Sequence, residues 1–126
     1  MDQKYPKAEK LKSKRTIDLL FTKGKSVAKY PLRLVYVPIE SDESQIKFGV
    51  SVSKKYFKKA VDRNYFKRLL REAYRLNKHL LTDDMQQKFA FMMLYQSKDR
   101  LDFDEIKNLA IQLFEKFRAE IKPKDN

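Results

Sequence analysis

Hydrophobic and polar positions alternate along the chain with periods that divide it into helices and strands. Residues 14–22 place apolar side chains at helical spacing, with Ser13 as a possible N-cap and Gly24 as a possible end. Residues 30–38 and 46–53 alternate with a period of two, which predicts two half-buried strands. The chain is therefore expected to begin with a helix that is followed by strands.

The second of these strands has one face of small side chains, formed by Gly49, Ser51 and Ser53. Small residues in a strand predict that some other group, which the sequence does not identify, approaches this face closely. Residues 40–44, just before this strand, are polar and predict a turn.

Longer patterns follow in the second half of the chain. Residues 60–80 have the apolar spacing of a long helix, and residues 89–95 form the continuous apolar run of a buried central strand. Asp102 and Glu105 resemble a capping box, which opens a last helix with a core-facing apolar period. We therefore predict an α+β fold (an α/β sandwich) with the order helix, strands, helix, strand, helix, in which helices pack on a single sheet.

Length and composition bound the class of protein. A chain of 126 residues predicts one domain, residues 1–126, whose Lys-rich ends at 1–10 and 122–126 are expected to be disordered. The absence of cysteine excludes disulfides, zinc fingers and thiol catalysis. No apolar run approaches the ~20 residues of a membrane helix. The first residues also lack the apolar core of a signal peptide, so we expect a cytoplasmic protein.

The charge of the chain is large and uneven. The net charge is +12, with +7 in residues 1–33 and +8 in residues 53–79. A small domain with this much positive charge repels itself, which indicates a polyanionic partner, either nucleic acid or an anionic membrane. Concentration in two segments favours a binding surface over general solubility.

The helix predicted over residues 60–80 carries one cationic and one apolar face. With Arg63 set at 0°, the basic residues fall between about 0° and 140°, and most apolar residues between about 220° and 340°. Arg63, Lys67, Arg71 and Arg75 are like charges at successive i+4 positions, and each such pair costs a few tenths of a kcal/mol. An ordinary solvated face mixes signs, so we interpret this one as a site for anions.

Arginine predominates on this face, and arginine forks onto phosphate oxygens and stacks on exposed bases. Asn64 is the uncharged polar residue there, and its amide could contact a phosphate or a base, or cap the local backbone. The candidate RNA-binding residues are taken from this face and from the two lysines before it. They are Lys58, Lys59, Arg63, Asn64, Lys67, Arg68 and Arg71.

Residues 58–75 read Lys-Lys-Ala-Val-Asp-Arg-Asn-Tyr-Phe-Lys-Arg-Leu-Leu-Arg-Glu-Ala-Tyr-Arg. This segment closely resembles the bacterial ribonuclease P protein family, as do the strand at 48–55 and the N-terminal stretch at 11–27. The family signature is Arg-Asn-Arg at the start of the central helix, whereas this chain has Arg63, Asn64 and Tyr65. No family role is carried over to Tyr65, whose ring could stack on a base.

The resemblance implies a subunit that joins a large catalytic RNA through the signature helix. Together they would remove the 5′ leader from precursor tRNA. The RNA and Mg²⁺ ions, bound mainly by that RNA, would perform the hydrolysis, so no catalytic or metal-binding residue is expected in the protein. The partners implied are the catalytic RNA and precursor tRNA with its leader, with no membrane and no obligate protein partner.

The resemblance also implies a cleft for the single-stranded leader, between the sheet and the N-terminal helix. The matching positions here are Ile17, Phe21 and Tyr36, together with Lys54 and Lys55. Core packing is an equally good interpretation of the two aromatic residues. The family fold further implies the order α-β-β-β-α-β-α. It also implies a left-handed β-α-β crossover, of the kind found in a domain of one ribosomal protein, although right-handed crossovers are the rule.

The sequence gives weaker support to other functions. The one histidine, His79, is more typical of a surface or border residue than of a catalytic base. A structural RNA-binding protein of another ribonucleoprotein, such as the ribosome, would share the charge and the basic helix but not the full ordered set of motifs. A peripheral membrane protein would need large apolar residues exposed opposite the basic stripe.

Overall fold

The computed structural model describes residues 9–40 and 46–122. It contains one four-stranded sheet with helices on both faces. The elements in chain order are α1 (Lys14–Lys23), β1 (Lys25–Lys29), β2 (Leu32–Ile39), β3 (Ile46–Val52), α2 (Ala60–Asn77), α3 (His79–Thr82), β4 (Lys88–Tyr95) and α4 (Phe103–Ile121). The predicted α-β-β-β-α-β-α order is confirmed, with α3 added as one short turn where the central helix was expected to continue.

Parts of three predicted segments lie outside the described residues. They are positions 41–44 of the turn, positions 1–8 of the N-terminal end and positions 123–126 of the C-terminal end.

The strands run in the order β1-β2-β4-β3. β1 pairs antiparallel with β2, and β2 pairs antiparallel with β4. β3 and β4 pair in parallel, from Ile46 opposite Phe89 to Val52 opposite Tyr95, so α2 lies within the crossover that joins them. The left-handedness of this crossover remains a prediction.

One face of the sheet packs against α2 and α4. Phe48 of β3 and Phe91 of β4 lie there with Phe114 and Phe117 of α4, all nearly inaccessible to solvent. Burying an aromatic side chain of this size contributes about 1.5–3 kcal/mol. The predicted capping box fixes where α4 begins, because the backbone N–H of Glu105 donates to the Asp102 carboxylate at 2.9 Å.

The opposite face of the sheet is covered by α1. Leu20 of α1 packs there against Val35 of β2 and Met92 of β4. Ser13 caps α1 as predicted, since its hydroxyl accepts from the Thr16 backbone N–H at 3.3 Å. Gly24 ends the helix in an extended conformation, and a side chain there would overlap the Leu20 carbonyl oxygen and the Val35 side chain.

The small face of β3 is approached closely, as predicted, and the structure shows that the segment before α1 makes the approach. The backbone N–H of Leu11 donates to the carbonyl of Phe48 at 3.1 Å, beside the bridge between Lys10 and Phe48. A Cβ atom at Gly49 would lie 3.2 Å from the Leu11 side chain. The segment before α1 therefore runs along the edge of the sheet, next to α2.

Candidate nucleic-acid interface

The orientation of α2 about its own axis is set by its contact with β3. The ring of Tyr74 stacks on that of Phe48, with centroids 3.9 Å apart and planes at 14°. Its hydroxyl donates to the carboxylate of Glu9 at 2.6 Å. Phe66 and Leu70, both buried, lie on the same side of the helix. Tyr74 is therefore a core residue, although a rotation of about 100° per residue from Arg63 puts its position near 20°, within the basic arc.

This orientation divides the predicted cationic face into two parts. Arg63 and Lys67 lie at the border of the buried face and are half-buried. Arg68, Arg71 and Asn64 are exposed. The separation of a basic and an apolar face is confirmed, but the centre of the exposed cationic surface lies nearer Arg68 than Arg63.

The side chain of Arg63 is hydrogen-bonded to the backbone of the segment that precedes α2. Its Nη1 donates to the carbonyl oxygens of Phe57 and Lys58, at 2.9 and 2.8 Å. These bonds hold the segment that leads into α2 against the first turn of the helix. A sequence reading assigned Arg63 to RNA alone, because backbone carbonyls leave no trace in the amino-acid pattern.

The other candidate side chains of this surface make no ion pair or side-chain hydrogen bond within residues 9–40 and 46–122. We call this set the α2 cationic surface: Lys58, Lys59, Asn64, Lys67, Arg68 and Arg71. No local cap by Asn64 is formed in this part of the chain. Lys59 precedes α2 and makes no side-chain cap hydrogen bond among the described residues.

The C-terminal end of the helix is different, because its cations are paired. Arg75 forms an ion pair with Glu72, and Lys78 lies 3.2 Å from the Glu9 carboxylate. The hydrogen bond from Arg75 lowers the pKa of the Glu72 carboxyl. The exposed charge of α2 is thus concentrated in its N-terminal and middle turns.

A cleft of about 700 Å³ opens beside this surface, between α1 and α2 at the edge of β3. We call it the edge cleft, and its lining residues are Lys10, Leu11, Lys12, Ile17, Gly49, Val50, Arg71 and Met92. Arg71 belongs both to the cleft and to the α2 cationic surface, so the two are continuous. The floor is apolar and the rim is cationic, an arrangement suited to a strand with bases and phosphates.

Tyr36 does not lie where the leader cleft was predicted. Its side chain points to the α4 face of the sheet, is only 6% exposed, and packs on Phe117. The neighbouring residue Val35 faces α1 instead. Successive residues of a strand point to opposite faces, so a match that shifts by one position changes the face. Placing Tyr36 in a cleft on the α1 side was therefore wrong.

The other predicted leader contacts are dispersed. Ile17 lines the edge cleft, whereas Phe21 lies further along α1 and is 58% exposed. Lys54 and Lys55 are exposed in the turn after β3. Among the described residues, only Ile17 of these five lines the edge cleft.

Sequence reasoning missed Arg33 as a candidate. It lies on the α1 face of β2, two residues before Val35, and is half-buried. Its Nη1 donates to the hydroxyl of Ser26 at 2.8 Å, and its Nε donates to the Gln96 amide oxygen at 3.3 Å. A cation fixed on the sheet face beside α1 suits a phosphate. The only signal in the sequence was its place in the alternating strand.

A family model described as Ribonuclease P matches residues 5–118 of this chain. The chain belongs to the ribonuclease P protein family. The ribonuclease P protein component of Porphyromonas gingivalis is 46% identical over 94 residues, which cover 70% of this chain and 69% of that protein. That of Dictyoglomus thermophilum is 33% identical over 115 residues, covering 91% of this chain and 92% of that protein.

Solved structures of the ribonuclease P protein family share the fold. The RNase P protein from Thermotoga maritima is 26% identical, with a TM-score of 0.69, over 86% of this chain and 96% of that one. The Staphylococcus aureus RNase P protein has a TM-score of 0.72 at 22% identity, over 89% of this chain and 97% of that one. The fold predicted from the resemblance is therefore confirmed.

None of the helices in the described ranges is long and apolar enough to cross a membrane. Within the same residues, no three His, Cys, Asp or Glu side chains come together as possible metal ligands.

Proposed function

We propose that this chain is the RNA-binding protein subunit of ribonuclease P, which assists a catalytic RNA in removing the 5′ leader from precursor tRNA. The observation that carries the proposal is the membership of the ribonuclease P protein family together with the α2 cationic surface, whose side chains have no ion-pair partner within the described residues. Membership supplies the expected RNA partners, and the surface supplies a place to bind them.

The α2 cationic surface is the proposed contact with the catalytic RNA. Arg68 and Arg71 are exposed and lack ion-pair partners within the described residues. Their guanidinium groups can donate to two phosphate oxygens at once. Like charges one turn apart are unfavourable in the free protein, and bound phosphates would relieve that repulsion.

The edge cleft, with the adjoining sheet face, is the proposed path of the leader. Ile17 and Met92 offer an apolar floor, while Lys10 and Lys12 offer charge at the rim. Arg71 is shared with the α2 cationic surface, so the leader and the catalytic RNA would bind side by side. Such a juxtaposition positions the substrate strand relative to the RNA without any chemistry by the protein.

Catalysis is assigned to the RNA and to Mg²⁺ bound mainly by it. Mg²⁺ prefers carboxylates and phosphate oxygens as ligands. RNA supplies such phosphate oxygens along its whole backbone. The protein would contribute by neutralising phosphate charge where two RNA molecules meet.

A structural RNA-binding protein of another ribonucleoprotein would share the charge of α2. The match to the ribonuclease P family over residues 5–118 favours the first assignment. Peripheral membrane binding lacks the large exposed apolar face that it needs, because the apolar side of α2 packs on the sheet and α4.

Reconstitution tests the proposal. The protein is mixed with a bacterial ribonuclease P RNA and a precursor tRNA at low Mg²⁺, and release of the leader is followed. We expect faster cleavage than with RNA alone, and no gain from Arg71→Glu at the same concentration. Lys107→Glu on α4 makes the same charge change away from the surface and serves as control. No gain with the unmodified protein, or equal losses in both variants, would contradict the proposal.

A further inference from the structure

Two large apolar side chains on α2 are exposed to solvent one helical turn apart. Val61 is 70% exposed and Tyr65 is 42% exposed. Elsewhere in the described chain, the exposed large apolar residues are Phe21 and Tyr30, which lie on other elements. Outside its core face, the rest of α2 is polar or cationic. The exposure of this adjacent apolar pair therefore calls for an explanation.

The ring of Tyr65 is held by the core beneath it. It meets the ring of Phe66 at 83°, with centroids 5.1 Å apart. Phe66 is buried and stacks in turn on Phe57 at 4.7 Å. A ring supported in this way loses little additional freedom when a ligand packs against it.

Cations flank this pair of side chains. Arg68 lies three residues after Tyr65, at neighbouring positions on the helix surface, and is exposed. On the other side, Arg100 lies over the ring of Phe66 at 5.2 Å and pairs with Asp62 at 3.3 Å. The acidic groups of α2 are both paired, Asp62 with Arg100 and Glu72 with Arg75. The field around Tyr65 is therefore positive.

We propose that Val61 and Tyr65 form a stacking platform for one unpaired base of the ribonuclease P RNA, with a neighbouring phosphate bound by Arg68. The inference rests on the proposed function and gives it a contact that needs no particular base, because every base has a π-face. Charge complementarity favours nucleic acid as the occupant. Two side chains are too few to anchor a second copy of the chain, since specific protein interfaces bury about 1,200 Å² or more.

Affinity for a bacterial ribonuclease P RNA, measured at several salt concentrations, tests the platform. Tyr65→Ala is expected to weaken binding about 5- to 150-fold with an unchanged salt slope, because a stack is lost and no charge. Tyr65→Phe keeps the ring and is expected to bind within about twofold of the unmodified protein. Arg68→Ala is expected to lower the slope itself. Melting curves check that the exposed substitutions leave the fold intact.

Several outcomes would overturn the platform. One is RNA affinity that Tyr65→Ala leaves unchanged, and another is an equal loss with Tyr65→Phe, which would indicate the hydroxyl. A third is unchanged RNA affinity with loss of a concentration-dependent dimer in sedimentation, which would indicate a protein contact. Failure of the unmodified protein to bind the RNA would instead contradict the proposed function itself.

Discussion

The ring of Tyr36 lies edge-on to the ring of Phe117, with centroids 4.8 Å apart and planes at 77°. This contact joins β2 to α4 across the main core. Burial raises the pKa of the Tyr36 hydroxyl, and the nearby carboxylate of Glu120 raises it to a smaller extent. A residue in this position contributes to stability and has no open face for a nucleotide.

We expect Tyr36→Ala to lower the free energy of unfolding by about 3 kcal/mol, because it leaves a cavity among aromatic rings. Urea denaturation measures the loss, and Tyr36→Phe is expected to retain most of the stability. At a temperature where the Ala variant is folded, the ratio of its affinities for precursor and mature tRNA should equal that of the unmodified protein. A selective loss on precursor tRNA would restore Tyr36 to the leader path.

The pH dependence of stability provides a second check on Tyr36. Burial raises the pKa of its hydroxyl above the ordinary value, so the folded state retains the proton to higher pH than the unfolded state. The stabilisation is fully present below pH about 10, the unfolded pKa, and is lost as the pH rises through the folded pKa. Unfolding free energies measured across this alkaline range should fall less steeply for Tyr36→Phe. Equal slopes in both proteins would exclude Tyr36 as a source of the effect.

Arg63 is expected to act on stability as well as on RNA. Removal of its bonds to the Phe57 and Lys58 carbonyls in Arg63→Ala should cost about 1–2 kcal/mol of unfolding free energy. Arg68→Ala removes an exposed arginine of the same helix and should leave stability within about 0.5 kcal/mol. Denaturation curves of the two variants make the comparison. Equal stability would mean that the backbone bonds of Arg63 contribute nothing measurable.

Much of the fold could be predicted from the sequence where a pattern is periodic and long. The capping box at Asp102 and the apolar run of β4 specify their elements locally. β1 could not be found this way, because only Val27 of its five residues is buried and no alternation shows. Its position depends on pairing with β2, which is a tertiary contact.

The candidate site was predicted less completely, for two physical reasons. A helical wheel assigns faces by residue type, so it could not anticipate that Tyr74 would pack on Phe48 and turn the buried side toward Arg63. A helical wheel also cannot show ion pairs with residues outside the helix. Glu9 lies far from Lys78 in the sequence, yet the two side chains form an ion pair. The placement of Tyr36 in the leader cleft was wrong because successive residues of a strand point to opposite faces of the sheet, and a motif match does not determine which face a residue takes.

Among the described residues, some cations of α2 have an ion-pair partner and others have none, and this difference predicts the salt dependence of RNA binding. Lys67→Ala, Arg68→Ala and Arg71→Ala should each lower the slope of log affinity against log salt by roughly 0.7–0.9, the value of one phosphate contact. Arg75 already pairs with Glu72, so Arg75→Ala should change the slope less. Filter binding to a bacterial ribonuclease P RNA gives the slopes. An equal reduction for Arg75→Ala would show that its ion pair opens when RNA binds.

A gain of binding is the sharpest test of the edge cleft, because misfolding cannot produce it. Ile17 lines the cleft without an aromatic ring, while Phe21, also on α1, is exposed. Ile17→Phe should add a stacking surface and tighten binding of precursor tRNA by up to ~1 kcal/mol, with mature tRNA unchanged. Phe21→Ala should weaken precursor tRNA selectively if the leader continues along α1. Competition between the two tRNAs for the reconstituted holoenzyme measures both effects. Should Ile17→Phe tighten both tRNAs equally, the edge cleft binds RNA in general and does not select the leader.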